Sequence, residues 1–188
     1  MNEPLRTTLA DAASFLQAEG ISYALIGGLA ISIRGQPRMT ADVDVLIAAD
    51  IKRALALAAA LPQSSFRPLF EDVEEVITRA FLLPLRHRST NVKVDIAIGL
   101  SGFERQAVGR AEPLELAGCT VPVASAEDLL IMKILAGRPQ DEQDIRGLLI
   151  AQGDQLDWEY CLHLAADLGE AVGQDLAGRV RTLRGGDA

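Results

Sequence analysis

Cysteine, histidine and lysine are all scarce in this 188-residue chain, which carries two, two and three of them. Cys119 and Cys161 stand alone, with no Cys-x-x-Cys pair and no Cys/His spacing. A disulfide framework or a zinc cluster is therefore not expected, and a reducing compartment is. No run approaches the roughly 18 apolar residues of a membrane helix. Met1-Asn2-Glu3-Pro4 has neither a basic nor an apolar leader character. The expectation is a soluble, cytoplasmic protein without a membrane partner. HExxH, GxSxG, Walker A and GxGxxG patterns are also missing, which removes support for protease, hydrolase, P-loop and dinucleotide chemistry. The net charge of −8 argues against a broad nucleic-acid-binding face.

What is present is apolar substance and an uneven distribution of charge. Apolar residues make up 49% of the chain, enough at this length for a proper core in one domain or one domain plus an appendage. Residues 34–110 carry eleven Arg or Lys against nine Asp or Glu, whereas residues 141–175 carry nine acids and a single base, Arg146. Arginine outnumbers lysine fifteen to three. That bias suits bidentate phosphate contacts, although a GC-rich genome produces it equally well.

Local patterns divide the chain. Thr7 to Ala18 reads as an opening helix, 22–26 as a strand, Leu29 to Ile33 as a short helix and the segment around Asp42 as a strand. Asp50 is placed to cap a helix over 51–60 that ends at Pro62. Strands are expected near 66–70, 80–85 and 91–98, with a solvated loop or helix start at 71–75. His87, between Arg86 and Arg88, is expected in an exposed basic loop. Residues 112–116 and 119–123 flank Ala117-Gly118 as a hairpin. Ser125-Ala126-Glu127-Asp128 has the capping pattern of a helix running to Gly137, and a further helix starts near Pro139. A last helix is expected over 156–168, followed by a frayed end across 179–186. The fold class read here is α+β: a short mixed sheet backed by helices, with a core over 1–124 and a helical region over 125–188.

The chemistry concentrates in Thr40-Ala41-Asp42-Val43-Asp44-Val45-Leu46-Ile47. Alternation along a strand puts Asp42, Asp44 and Leu46 on one face, the two carboxylates about 7 Å apart at roughly 3.3 Å per residue. Val43, Val45 and Ile47 then face a core. Gly27-Gly28 precedes this strand by fourteen residues and can approach a phosphate without Cβ interference, ahead of a helix whose amino end favours anions. Asp95, in Asn91-Val92-Lys93-Val94-Asp95-Ile96, adds a third strand acid. Carboxylates converging on one surface repel each other unless a cation compensates, and Mg²⁺ prefers such oxygen ligands together with substrate phosphate. The ordered set points to a divalent metal and a phosphate substrate.

Residues Leu25 to Leu46 resemble the polymerase-β-like nucleotidyltransferase superfamily, and within it the AbiEii-type branch of toxin and abortive-infection enzymes. Gly-Gly-x-Ala, Arg-Gly and Arg-x-Thr-x-Asp-x-Asp occur here in that branch's order, and Asp128 to Ile145 resembles its helical segment. The resemblance spans roughly residues 22–148. It implies transfer of a nucleoside monophosphate from an NTP to an acceptor hydroxyl of RNA, tRNA, protein or a small molecule. It also implies two Mg²⁺ ions held by Asp42, Asp44 and Asp95, with Gly27 and Gly28 as the phosphate turn. Arg38, Lys133 and Arg138 are candidate nucleotide contacts, and a cognate antitoxin is a candidate partner. Many superfamily members place Ser after the glycine pair, where this chain has Leu29. That departure keeps open a binding module without catalysis, and the acidic segment keeps open an antibiotic-modifying adenylyltransferase.

Overall fold

A computed structural model describes residues 1–185. The described residues fall into two compact units, one of residues 1–29 and 39–124, the other of residues 30–38 and 125–185.

The first unit is built on a mixed seven-stranded sheet in the order β3-β4-β5-β2-β1-β7-β6. Its strands are β1 (Tyr23–Ile26), β2 (Val43–Ile47), β3 (Phe66–Pro68), β4 (Leu82–His87), β5 (Lys93–Ile98), β6 (Glu112–Leu116) and β7 (Cys119–Val123). β2 runs antiparallel to β1 and parallel to β5. Helices α1 (Glu3–Ala18) and α5 (Gly102–Arg110) pack on the central strands. Val43, Val45 and Ile47 are buried, as the alternation requires. Between β2 and β4 lie α3 (Ile51–Ala60), capped by Asp50 through a 2.7 Å bond from the Arg53 amide, and α4 (Val73–Ala80). The α+β class with a mixed sheet backed by helices is the observed architecture.

Two local expectations are corrected in this unit. His87 is 2% exposed at the end of β4, not in a basic loop. Its Nδ1 accepts from the Thr90 amide at 3.1 Å, which leaves Nε2 to donate to Asp11 at 2.8 Å. Phe66 stacks edge-on against its ring, with centroids 5.2 Å apart. Burial against an aromatic and a carboxylate from α1 explains the residue, and no neighbour in sequence announces either. The second is one of extent: the loop or helix start expected at 71–75 is the start of a helix, and that helix continues to Ala80. Ile77, fully buried, anchors it.

The second unit is helical. It contains α6 (Ala126–Ala136), α7 (Pro139–Gln152), α8 (Trp158–Val172) and α9 (Leu176–Gly185). The Ser125 hydroxyl accepts from the Asp128 amide at 3.1 Å and caps α6, while Gly137, at φ +59°, closes it. Gly35 lies against the backbone of α7, where a Cβ would sit 3.0 Å from the Gly147 carbonyl carbon. The frayed end expected over 179–186 is instead helix α9 as far as Gly185, because Leu176, Ala177, Val180 and Leu183 line up on a buried face. Gly186 lies outside the described residues. Among the described residues, no helix is long and apolar enough to cross a membrane.

Candidate active site

Strand register brings the aspartates of the first unit together. Asp44 and Asp95 are direct partners across the parallel β2–β5 pair, so their side chains leave the same face of adjacent strands. Asp42 lies one residue ahead of β2 rather than within it, half-buried on the same side of the alternation. Lys93, two residues before Asp95 on β5, points the same way and donates to Asp95 Oδ2 at 2.6 Å. The Asp95 hydrogen bond raises the Lys93 ammonium above its usual range, and the fields of Asp95, Asp42 and Asp44 add to it against a burial effect of opposite sign. One cation therefore senses all three carboxylates. Lys93 was missed as a site residue, although its i, i+2 spacing from Asp95 was the available signal.

The glycine turn joins this group through β1. Ile26, the last residue of β1, is the partner of Asp44, and the chain passes directly into α2 (Gly27–Arg34). Gly27 has φ +64°, and a Cβ there would lie 2.1 Å from Asp44 Oδ2. Both constraints demand glycine. The amino end of α2, which carries roughly half a unit of positive charge, thus lies beside Asp44. Leu29 is 5% exposed. That position offers no side-chain hydroxyl.

The donor set suits a hard divalent cation: carboxylate oxygens on one face, with Asp95 Oδ1 buried and without a hydrogen-bond partner. Among the described residues, no three His, Cys, Asp or Glu side chains are gathered closely enough to form a ligand group on their own. Asp95 is engaged by Lys93 in this arrangement.

The three basic candidates Arg38, Lys133 and Arg138 meet in the second unit as one ion cluster. Lys133, 5% exposed, contacts Asp141 Oδ1 at 2.8 Å and Asp144 Oδ2 at 2.7 Å. Arg38 clamps Asp144 with Nε–Oδ1 at 2.5 Å and Nη2–Oδ2 at 3.1 Å. Arg138 clamps Asp141 in the same bidentate way, at 2.8 and 3.1 Å. Burial pushes the Asp141 carboxyl upward, but hydrogen bonds from Arg138 and Lys133 outweigh it and hold the group at about 2. The two arginines keep exposed surface, with side chains 37% and 58% accessible, while both acids are buried at 1%. The Asp144 partner Arg38 lies 106 residues away in sequence, beyond the reach of any local signal.

A cavity of about 520 Å³ elsewhere in the first unit is lined by Ser14, Gln17, Tyr23, Cys119 and Thr120, and contains none of these residues. Burial, with Cys119 close by, pushes the Tyr23 hydroxyl up to about 12.

A family model described as nucleotidyltransferase of unknown function, DUF6036, matches residues 5–183. The chain belongs to that nucleotidyltransferase family. It is an enzyme of the nucleotidyltransferase superfamily, and the substrate that comes with the family is an NTP. Solved structures share its fold. An antigenic nucleotidyltransferase-like protein from Paracoccidioides brasiliensis is 21% identical, with a TM-score of 0.57 over 96% of this chain and 93% of that one. The antibiotic-resistance factor ANT(2'')-Ia, in complex with adenylyl-2''-tobramycin, is 15% identical, with a TM-score of 0.55 over 94% and 97%. The lincosamide antibiotic adenylyltransferase LnuA, bound to lincomycin, is 14% identical, with a TM-score of 0.51 over 74% and 93%. No curated protein matches the chain in sequence.

Proposed function

We propose that Asp42, Asp44 and Asp95 are the catalytic and metal-binding acids of this nucleotidyltransferase, with Gly27 and Gly28 as its phosphate turn. The observation that carries this reading is the Asp44–Asp95 pairing beside the amino end of α2. Asp42 and Asp44 would hold Mg²⁺, which, when bound, neutralises phosphate charge and stabilises the departing pyrophosphate. Asp95 is suited to accept the proton of the acceptor hydroxyl as its oxygen bonds to the α-phosphorus. The bond from that phosphorus to the bridging oxygen breaks, and pyrophosphate leaves with the electron pair. The helix backbone at Gly27-Gly28 contributes N–H groups to the phosphates. Arg38, Lys133 and Arg138 of the helical unit are candidate nucleotide contacts: the two arginines keep exposed guanidinium surface, and Lys133 bonds the two acids that hold them. The catalytic core lies within 1–124 and the helical region within 125–188.

For the acceptor we favour a cationic small molecule. Seven of the nine acids between 141 and 175 (Glu142, Asp154, Asp157, Glu159, Asp167, Glu170 and Asp175) are exposed, and only Asp141 and Asp144 are consumed by the ion cluster. Exposed acids attract polyamines and aminoglycosides and repel RNA. ANT(2'')-Ia and LnuA, which share the fold, are adenylyltransferases of antibiotics. The second reading, resting on the AbiEii-type resemblance around Asp42 and Asp44, is a toxin acting on tRNA or protein in the bacterial cytoplasm and paired with an antitoxin.

Incubation with Mg²⁺ and each α-phosphate-labelled NTP tests both readings, with an aminoglycoside panel, total tRNA and a protein lysate as acceptors. Label on the aminoglycosides supports the first, and label on tRNA or protein supports the second. In either case Asp42→Ala/Asp44→Ala is expected to lose transfer by more than about a thousandfold. Transfer that survives the double substitution rejects the acid assignment.

A further inference from the structure

Strand β1 presents its two faces to different surroundings. Ile26, at its carboxyl end, is the partner of Asp44, whereas Tyr23, at its amino end, is the partner of Ile47. Alternation sends the side chains of Tyr23 and Asp44 to opposite faces of the sheet. On its own face Tyr23 lines the cavity of about 520 Å³, together with residues of α1, α5 and β7. That volume falls within the roughly 300–1,000 Å³ of pockets that hold small organic ligands.

Three observations make the cavity a site. Tyr23 is 9% exposed, yet its hydroxyl has no hydrogen-bond partner among the described residues, so its partner is whatever enters the cavity. Burial, with Cys119 close by, raises this hydroxyl to about 12, which keeps it a donor throughout the neutral range. The lining, finally, contains no Asp, Glu, Lys or Arg. Cys119 adds no charge either, because burial pushes its thiol up and it donates to the Leu116 carbonyl at 3.3 Å. Ala13, Val108 and Pro122 supply apolar wall, and Ser14, Gln17 and Ser22 stand exposed at the edge.

We propose that this cavity binds an uncharged small molecule, an amide or a heterocycle, whose carbonyl oxygen or ring nitrogen accepts from the Tyr23 hydroxyl. A nucleotide or an aminoglycoside finds no counter-charge here. The site is therefore separate from the one proposed for the NTP and its acceptor.

Benzamide, benzoate and benzylamine share one ring and differ in charge, being neutral, anionic and cationic. Each is titrated into the isotope-labelled full chain, and amide chemical shifts report affinity and location. Benzamide is expected to saturate at about millimolar concentration, with shifts in α1, α5 and β7, and the two ions to bind at least about tenfold more weakly. Tyr23→Phe keeps the ring and should weaken benzamide about fivefold, the value of one neutral hydrogen bond. Ser14→Trp, at an exposed position of α1, places an indole across the opening and should abolish binding. Equal binding of the three probes, shifts centred on Gly27 or Asp44, or unchanged affinity in either variant overturns the proposal. So does a wild type that does not bind benzamide. All of these outcomes leave the assignment of the acids standing, because none of them lines the cavity.

Discussion

The protein contains two clusters of opposite charge, and they are finished to different degrees. In the helical unit, Lys133, Arg38 and Arg138 meet Asp141 and Asp144 in a network where both buried carboxylates are bonded at each oxygen. In the sheet unit, Lys93 bonds one oxygen of Asp95, and the other oxygen is buried without a hydrogen-bond partner. A saturated buried network holds its own elements in place, and removing one member strands a charge. A buried oxygen without a partner costs stability and is retained where a ligand completes it. This contrast supports our reading of the first cluster as framework for two arginines and our proposal of the second as the place of chemistry.

The sharpest way to break that comparison is to remove charge from each side. Asp42→Ala/Asp44→Ala, which should abolish transfer, is expected to change unfolding free energy by no more than about 1 kcal/mol, because relieved repulsion offsets what Lys93 loses. Urea denaturation measures this, and a large destabilisation would place these acids in the framework instead. Lys133→Met should behave oppositely. It leaves two buried carboxylates short of a cation and should cost about 3 kcal/mol in the same assay.

Gly27→Ala probes the sheet unit by geometry rather than charge. Left-handed backbone costs a residue with a Cβ about 1–2 kcal/mol, and the new methyl would displace Asp44. Transfer should fall roughly a hundredfold while the protein stays folded. Circular dichroism alongside label transfer would show it, and undiminished transfer would remove Gly27 from the phosphate turn.

The mildest test uses acid. The Asp141 carboxyl is held at about 2, below its ordinary 3.8. A depressed value in the fold means the stabilisation is complete above the unfolded pKa and is lost as pH falls from about 4 toward 2. The linked loss is about 2 kcal/mol, and Asp141→Asn should flatten that limb of the stability–pH curve. An unchanged limb would mean that other carboxylates govern acid unfolding.

What could be read in advance follows the range of each interaction. Ser125 capping α6, Asp50 capping α3, Gly137 closing a helix and Ala117-Gly118 turning a hairpin are decided within four residues, so their residue types announce them. Helix α9 was missed because its face of Leu176, Ala177, Val180 and Leu183 is interrupted by arginines and a glycine, and its helicity is secured by packing rather than propensity. His87 was misplaced for the same kind of reason. Flanking arginines suggest solvent, yet Asp11 and Phe66, distant in sequence, line its burial site.

The same division runs through the candidate site. The sequence alone determined which residue types are available: alternation around Asp42 and Asp44, a glycine pair ahead of them and one later strand acid. These are properties of period and conformational freedom, carried by each segment in isolation. Only the tertiary structure decided that β2 lies parallel to β5, so that Asp95 meets Asp44 and brings Lys93 with it. It likewise decided that Arg38 closes on Asp144. Strand order and helix packing are set by burying apolar faces against one another, and the charges come together as those faces dictate.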